Sequence, residues 1–106
     1  MDVVVIRQAE RELNGFPDPV RVDVFALFED LAAGKLLGMP IARSLPSIAK
    51  GLFELRLSGR AGEFRVFYVV KVRDAIYVVH AAQKKNQKID KRTIELITTR
   101  IRSIGI

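Results

Sequence analysis

Alternating apolar and polar residues predict three β-strands in the second half of the chain. Residues 52–57 alternate between three apolar side chains and the charged Glu54 and Arg56, as expected of a strand covered on one face. Residues 63–72 repeat this period. Their apolar face comprises Phe64, Val66, Tyr68, Val70 and Val72. Residues 76–84 form a third apolar run, so short turns would join the three strands into an antiparallel meander.

Apolar residues at helical spacing predict helices before this meander. Residues 3–6 form a β-branched run typical of a strand, and residues 9–13 favour a short helix. A second helix would begin with Asp18 as its cap and Pro19 in its first turn. Its apolar stripe comprises Val20, Val24, Leu27, Phe28 and Leu31. The two helices are expected to form a hairpin over the sheet.

A last helix follows the meander. Asp90 is suited to cap it, and its apolar stripe comprises Ile94, Ile97, Ile101 and Ile104. Residues 35–50 contain glycine and prolines, which predicts an ordered loop around one edge of the sheet. The fold class is therefore α+β, and 106 residues are enough for one domain spanning residues 1–106.

Basic residues are concentrated in the second half of the chain. Residues 50–106 carry 13 of the 18 Lys and Arg residues but only 5 of the 12 Asp and Glu residues, a net charge of +8, whereas residues 1–49 carry −2. A basic sheet surface favours phosphate contacts. Such a surface also suits an acidic protein, so charge alone leaves both kinds of partner open.

Composition excludes several kinds of site. Because the chain has no Cys, it has no disulfide, no thiol nucleophile and no cysteine-based zinc site. One histidine, His80, is too few for a metal centre, so we expect neither a metal nor another cofactor. The apolar run at residues 1–6 contains acidic Asp2 and is too short for a signal sequence or a membrane span. We therefore expect a cytoplasmic protein with no membrane partner.

Three stretches of the meander resemble a known family. They are residues 51–56 (GLFELR), residues 64–68 (FRVFY) and residues 79–88 (VHAAQKKNQK). They are similar to segments of the RelE/HigB-type toxins of type II toxin-antitoxin systems, specifically the phage-related HigB-like branch of the RelE/ParE superfamily. The chain departs from that pattern in three places. Phe64 replaces a tyrosine, Ala82 replaces an aromatic residue and Asp90 replaces a proline.

The resemblance implies a RelE-like fold and a function. The expected activity is that of an mRNA interferase, a metal-independent endoribonuclease that cuts mRNA on the ribosome and thereby inhibits translation. The ribose 2′-OH would attack the adjacent phosphate and leave a cyclic phosphate. The implied partners are mRNA on the ribosome, the ribosomal RNA backbone and a cognate helix-turn-helix antitoxin protein. The loop at residues 35–50 is a candidate surface for the antitoxin.

This reaction needs a phosphate clamp and groups that move protons. Arg65 is the best candidate for the clamp because a guanidinium is always charged and can bind two phosphate oxygens, and Arg56 is expected beside it. A salt bridge between Arg65 and Glu54 is the alternative. Glu54 itself is a candidate base, although a scaffold role that holds the arginines is favoured.

Further candidates lie in and after the last strand. Lys84 and Lys85 are candidate acid or base groups, and strand alternation predicts that only one of them faces the site. His80 is a possible proton shuttle, but a lone histidine in an apolar strand is more often a hydrogen-bonded core residue. Contacts with the RNA backbone are expected from Lys88, Lys91 and Arg92.

Two other functions are compatible with the same fold. One is that of a non-nucleolytic ParE-like toxin that binds and inhibits DNA gyrase, and the other is that of a decayed toxin that only binds RNA. The basic residues at the strand ends favour the nuclease. Ala82, in place of an aromatic residue, and the scarcity of acid and base groups keep the gyrase inhibitor open as an alternative.

Overall fold

The computed structural model describes residues 1–71 and 73–105. Within these residues, three helices accompany a five-stranded sheet with the order β1-β5-β4-β3-β2. The strands are β1 (Asp2–Val5), β2 (Ala42–Ser44), β3 (Leu52–Gly59), β4 (Gly62–Lys71) and β5 (Ala75–Gln83). The helices are α1 (Arg7–Asn14), α2 (Asp18–Ala32) and α3 (Lys91–Ser103). Among the described helices, none is long and apolar enough to cross a membrane.

The centre of the sheet is the predicted antiparallel meander of β3, β4 and β5. At one edge β1 pairs with β5 in parallel. At the other edge β2 pairs antiparallel with β3 and places Arg43 beside Glu54. The stretch at residues 35–50 wraps an edge as expected, but it includes a strand too short to show a period in the sequence. Val72, predicted on the apolar face of β4, lies outside the described residues.

Both faces of the sheet carry buried apolar residues. Helices α1 and α2 cover one face, where Leu13 and Val24 pack against Val66 and Val78. The other face has a smaller core that includes residues of α3 and of the loop before β3. Its buried members are Leu45, Leu52, Phe67, Val69, Val79 and Ile97. The expectation that β3 is covered on one side is therefore wrong, because Leu52 and Glu54, on the face opposite the first core, are also buried.

Helix starts and one turn follow from local chemistry. Asp90 caps α3 as predicted, since the Thr93 N–H donates to Asp90 Oδ1 at 2.7 Å, and this bond lowers the pKa of Asp90. Asp18 does not cap α2, which begins at Asp18 itself after Pro17. Gly51, at φ +77°, precedes β3, and a Cβ there would lie 2.7 Å from the Val70 carbonyl oxygen. Only glycine suits that position.

A β-bulge interrupts the pairing of β4 with β5. Phe67 pairs with His80 while the next residue, Tyr68, pairs with Val78, so Val79 is an extra residue in β5. A bulge shifts the alternation of side chains by one position. Val79 and His80 therefore both lie on the face covered by α3, where the His80 ring stacks on Phe67 at a centroid distance of 5.7 Å.

Candidate functional site

Positive side chains converge at the end of the sheet where β3 and β5 finish and β4 begins. A cleft of about 270 Å³ there is lined by Arg56, Arg65 and Lys84. A second cleft of about 190 Å³ shares Arg65 and Lys84 with the first and adds Lys85 and Lys88. The structure thus brings five of the predicted basic residues to two adjoining clefts. The first cleft also has apolar walls, formed by Pro40, Ile41, Leu57 and Phe64, which lower the local dielectric constant around these charges.

Arg65 is 7% exposed and is held by several contacts. Its Nη2 donates to the carbonyl oxygens of Asn86 and Gln87, each at 3.0 Å. Its Nε lies 3.0 Å from Glu54 Oε2. The salt bridge considered as the alternative to a phosphate clamp is therefore present, and it is buried. Arg65 links β4 to the segment after β5 and also lines both clefts.

Glu54 is fully buried (0% exposed) among three arginines. Its Oε1 lies 3.3 Å from Arg43 Nη2 and 3.8 Å from Arg56 Nε. The strand register explains this grouping, because Arg43 lies opposite Glu54 and Arg56 lies opposite Arg65. The two Glu54 oxygens make no hydrogen bond of good geometry within the described residues. The contacts are therefore ion pairs rather than aligned hydrogen bonds, and they fit the favoured scaffold role of Glu54 better than that of a base.

Lys84 and Lys85 lie beyond the end of β5 at Gln83. The Lys84 side chain is largely buried and its Nζ lies 3.2 Å from Glu63 Oε2. Lys85 is exposed and lines the second cleft together with Lys84. The expectation that only one lysine faces the site holds for the first cleft, which Lys84 alone lines, but not for the second cleft, which both line. Both residues follow the end of the strand, where alternation no longer directs side chains.

The predicted RNA-contacting residues surround the start of α3. Lys88 lines the second cleft, near Asp90 and Thr93. Lys91 and Arg92 occupy the first turn of α3 and are exposed without lining either cleft. The three side chains therefore extend the positive surface from the cleft onto the helix.

His80 lies away from both clefts, at the edge of β5. It is buried, and its Nδ1 lies 3.0 Å from Glu12 Oε1. Arg100 Nη1 donates to the same Glu12 oxygen at 2.8 Å and to the Val79 carbonyl oxygen at 3.0 Å. Because an ionised carboxylate can only accept hydrogen bonds, His80 Nδ1 is the donor to Glu12. His80 thus occupies the hydrogen-bonded core position that the sequence favoured.

Glu12 is the centre of this second polar cluster. It also accepts a bond from the Ala81 N–H at 3.2 Å. Burial raises the pKa of Glu12, but hydrogen bonds from His80 and Arg100 outweigh burial and bring the pKa down to about 2. The cluster links α1, β5 and α3. It lies beyond the end of β1, where β5 is paired with β4 on one side but has no strand on the other. A single glutamate in a short helix gives no sequence signal for such a role.

All three departures from the family pattern lie at the clefts, and Asp90, the cap of α3, lines the second one. Phe64 lines the first cleft, but its ring packs on Phe16 at a centroid distance of 4.8 Å. Ala82 lies opposite Arg65 in the β4–β5 pairing and lines the second cleft. The small Ala82 side chain leaves room beside Arg65 that an aromatic ring would fill. The core tyrosine Tyr68 is buried, and burial raises its pKa to about 12.

Comparisons with known proteins agree with this fold. Residues 11–102 match the family model described as phage-derived protein Gp49-like (DUF891). No curated protein sequence matches the chain significantly. Among solved structures, a mutant of the E. coli toxin RelE with two arginines replaced by alanine, in the free state, is similar with a TM-score of 0.54 and 17% identity. The match covers 97% of this chain and 96% of that one.

The isolated E. coli RelE toxin is similar with a TM-score of 0.50 and 17% identity, over 97% of both chains. At this identity the likeness establishes the fold. The predicted α+β, RelE-like architecture is therefore confirmed, whereas assignment to the HigB-like branch stays a prediction.

Proposed function

Because the chain belongs to the phage-derived Gp49-like family, we propose that it is the toxin of a type II toxin-antitoxin system and acts as a metal-independent, ribosome-dependent mRNA endonuclease. The observation that supports this proposal is the convergence of Arg56, Arg65 and Lys84 on one cleft. The RelE fold supports it as well, since both similar structures are of a protein called a toxin.

The clefts suit a reaction at a phosphodiester. When the 2′-OH attacks the adjacent phosphorus, a bond to the 5′ oxygen of the next nucleotide breaks and negative charge grows on the phosphoryl oxygens. Cations that are already in place stabilise that charge without reorganisation. Arg65 is fixed by Glu54 and by two backbone carbonyl oxygens. We assign phosphate neutralisation to Arg65 and Arg56, with Glu54 as the residue that positions them.

The lysines are the proposed proton-transfer groups. Lys84 and Lys85 line one cleft beside Arg65. One of them, as the free amine, would take the proton of the attacking 2′-OH, while the other, as the ammonium, would protonate the departing 5′ oxygen. We assign these two roles to the pair, because both lysines line the cleft. His80 lies outside the clefts, so we assign it to the fold rather than to the reaction.

The proposed partners bind around this centre. Lys88, Lys91 and Arg92 would contact the ribosomal RNA backbone. A cognate helix-turn-helix antitoxin would neutralise the toxin, and the exposed apolar side chains of Leu36 and Met39 in the loop at residues 35–50 support a binding surface there.

Expression in a bacterium tests the proposal. We compare wild type with the double variant Lys84→Ala/Lys85→Ala and with the control Lys50→Ala/Lys71→Ala. The control loses the same charge, but its lysines lie before β3 and at the end of β4, at the end of the sheet away from the clefts. Wild type and control are expected to arrest growth and to produce new cuts inside translated messages, mapped by primer extension. The Lys84/Lys85 variant is expected to lose both effects.

Two results would contradict the proposal. Growth arrest without cuts would reject the nuclease and direct attention to a gyrase supercoiling assay. No arrest by folded wild-type protein would reject an active toxin. Arg65→Ala is a poorer test, because it also removes the contacts that hold Glu54 and the segment after β5.

A further inference from the structure

Arg43 extends the row of positive charges beyond the clefts. It lies on the edge strand β2, and its side chain is 42% exposed. Arg56, with a side chain 37% exposed, approaches the same oxygen of Glu54 from β3. Two partly open guanidinium groups therefore share one buried carboxylate oxygen. Arg43 belongs to no periodic segment of the sequence.

The charges in this group do not balance. One carboxylate faces three guanidinium groups, and among the described residues Glu54 is the only acidic partner that they contact. Arg65 contacts the second oxygen of Glu54 and uses its Nη2 for two backbone carbonyl oxygens. The excess positive charge therefore lies on the side of Arg43 and Arg56, which is also the side open to solvent.

Hydrogen-bonding capacity is left over at the same place. Arg43 Nε is buried and has no hydrogen-bond partner within residues 1–71 and 73–105. Arg65 Nε and both Glu54 oxygens are likewise without a hydrogen-bond partner, so the ion pairs leave hydrogen-bonding capacity unused. The parts of this cluster that a ligand can reach are the partly exposed side chains of Arg43 and Arg56, and there the excess positive charge favours an anionic ligand. A guanidinium can bind two oxygens of a phosphate at once.

We propose that Arg43 and Arg56 form a second phosphate-binding subsite, held in place by Glu54 and adjoining the cleft with Arg65 and Lys84. The ligand is a neighbouring phosphodiester of a single-stranded RNA. This inference rests on the proposed function in taking RNA as the substrate. Glu54 is a positioning residue, because it is buried and acts only through the arginines it contacts.

Binding of an uncleavable RNA tests the subsite. The probe is a short, fluorescently labelled, single-stranded RNA with 2′-O-methyl groups throughout, which lacks the attacking hydroxyl. Its affinity is measured by fluorescence anisotropy over a series of salt concentrations. Arg43→Ala is expected to weaken binding several-fold and to reduce the slope of log affinity against log salt by about 0.7, the value for one phosphate contact on a single strand. The control Lys50→Ala, an equal charge loss at the other end of β3, is expected to keep the wild-type slope.

Glu54→Gln separates positioning from simple charge. This variant makes the protein more positive, so electrostatics alone would strengthen RNA binding. We expect weaker binding by protein whose circular dichroism shows a native fold, because Arg43 and Arg56 lose the group that holds them. Tighter binding would reject the positioning role.

Wild-type affinity and slope in Arg43→Ala would reject the subsite, as would failure of the wild type to bind the probe. The anisotropy assay does not depend on cleavage. If Arg43→Ala loses a phosphate contact but no message is cut on expression, the subsite stands and the nuclease fails. If messages are cut but Arg43→Ala binds the probe like wild type, the nuclease stands and the subsite fails.

Discussion

A single carboxylate, that of Glu12, connects three elements of the protein. It accepts hydrogen bonds from His80, the Ala81 N–H and Arg100, and so holds α1 and α3 to the free edge of β5. Hydrogen bonds to an ionised group are among the stronger ones in proteins. The ionised form of Glu12 is therefore part of what stabilises the folded state.

The stability conferred by Glu12 is expected to depend on pH. Its folded pKa of about 2 lies below the ordinary value of 4.5, so its contribution is full above about pH 4.5 and is lost as the pH falls towards 2. Glu12→Gln should lower the free energy of unfolding by about 1–3 kcal/mol near neutral pH. Urea denaturation over a pH series should show this difference narrowing between pH 4.5 and 2.

The exposed Glu10 on the same helix provides the control, since Glu10→Gln should have little effect at any pH. If the free energies of unfolding of wild type and Glu12→Gln differ by a constant amount down to pH 2, this role for Glu12 is contradicted.

Which site residues could be predicted from sequence depended on strand alternation. Alternation places Glu54 and Arg56 on one face of β3 and Arg65 on the matching face of β4, and the structure brings the three together. Arg43 and Glu12 gave no such signal. Arg43 lies on a strand of three residues, which is too short to alternate, and Glu12 contacts residues that are distant in sequence. Contacts between distant elements are fixed by packing, which a local pattern does not contain.

At the scale of elements, α3 is attached to the sheet by a few apolar side chains and one arginine. Leu96, Ile101 and Ile104 are partly buried against the second core. Ile97 is its only residue that is fully buried among those described. Arg100 adds bonds to Glu12 and to the Val79 carbonyl oxygen. The helix also follows directly on the segment that carries Lys84, Lys85 and Lys88. The position of α3 therefore bears on the shape of the second cleft.

Removal of the Arg100 side chain is expected to loosen α3 selectively. In Arg100→Ala, amide hydrogen exchange in α3 should accelerate by about tenfold, which corresponds to the loss of roughly 1.4 kcal/mol of local stability. Exchange in β3 and β4 should stay close to wild type. Arg102→Ala, at an exposed position two residues further on, is the control. Equal acceleration throughout the protein would show that Arg100 supports the whole fold instead.

The sequence predicted elements well where a period was long enough to read. The meander, the two N-terminal helices and the capped last helix are all present. The edge strand β2 and the second core were missed. A strand of three residues has no period. Phe67 and Val69 are apolar residues on the basic face of β4, but two such residues did not show that α3 and the loop before β3 would cover that face.

For the whole molecule, the uneven charge is the dominant feature. The half that carries +8 contributes β3, β4, β5 and α3, so most of the positive charge lies in adjacent elements. Like charges in a compact structure repel, and salt screens them. We therefore expect the melting temperature to rise by roughly 2–5 °C from low to physiological ionic strength.

Calorimetry in a series of sodium chloride concentrations measures this effect. The rise should be smaller in Lys84→Ala/Lys85→Ala, which removes two of the crowded charges. A melting temperature that falls with salt would mean that the ion pairs contribute more to stability than the repulsion costs.

The bulge at Val79 has a consequence for comparing this chain with its relatives. An uninterrupted β5 would point His80 and Ala82 into the core under α1 and α2 and would turn Ala81 towards α3. Because of the extra residue, every later side chain of the strand lies on the opposite face from the one that simple alternation predicts. A relative that lacks one residue here could share every letter of the motif after it and yet present those side chains to the opposite side. Roles can be transferred between aligned sequences of this family only when the bulge has first been counted as a gap.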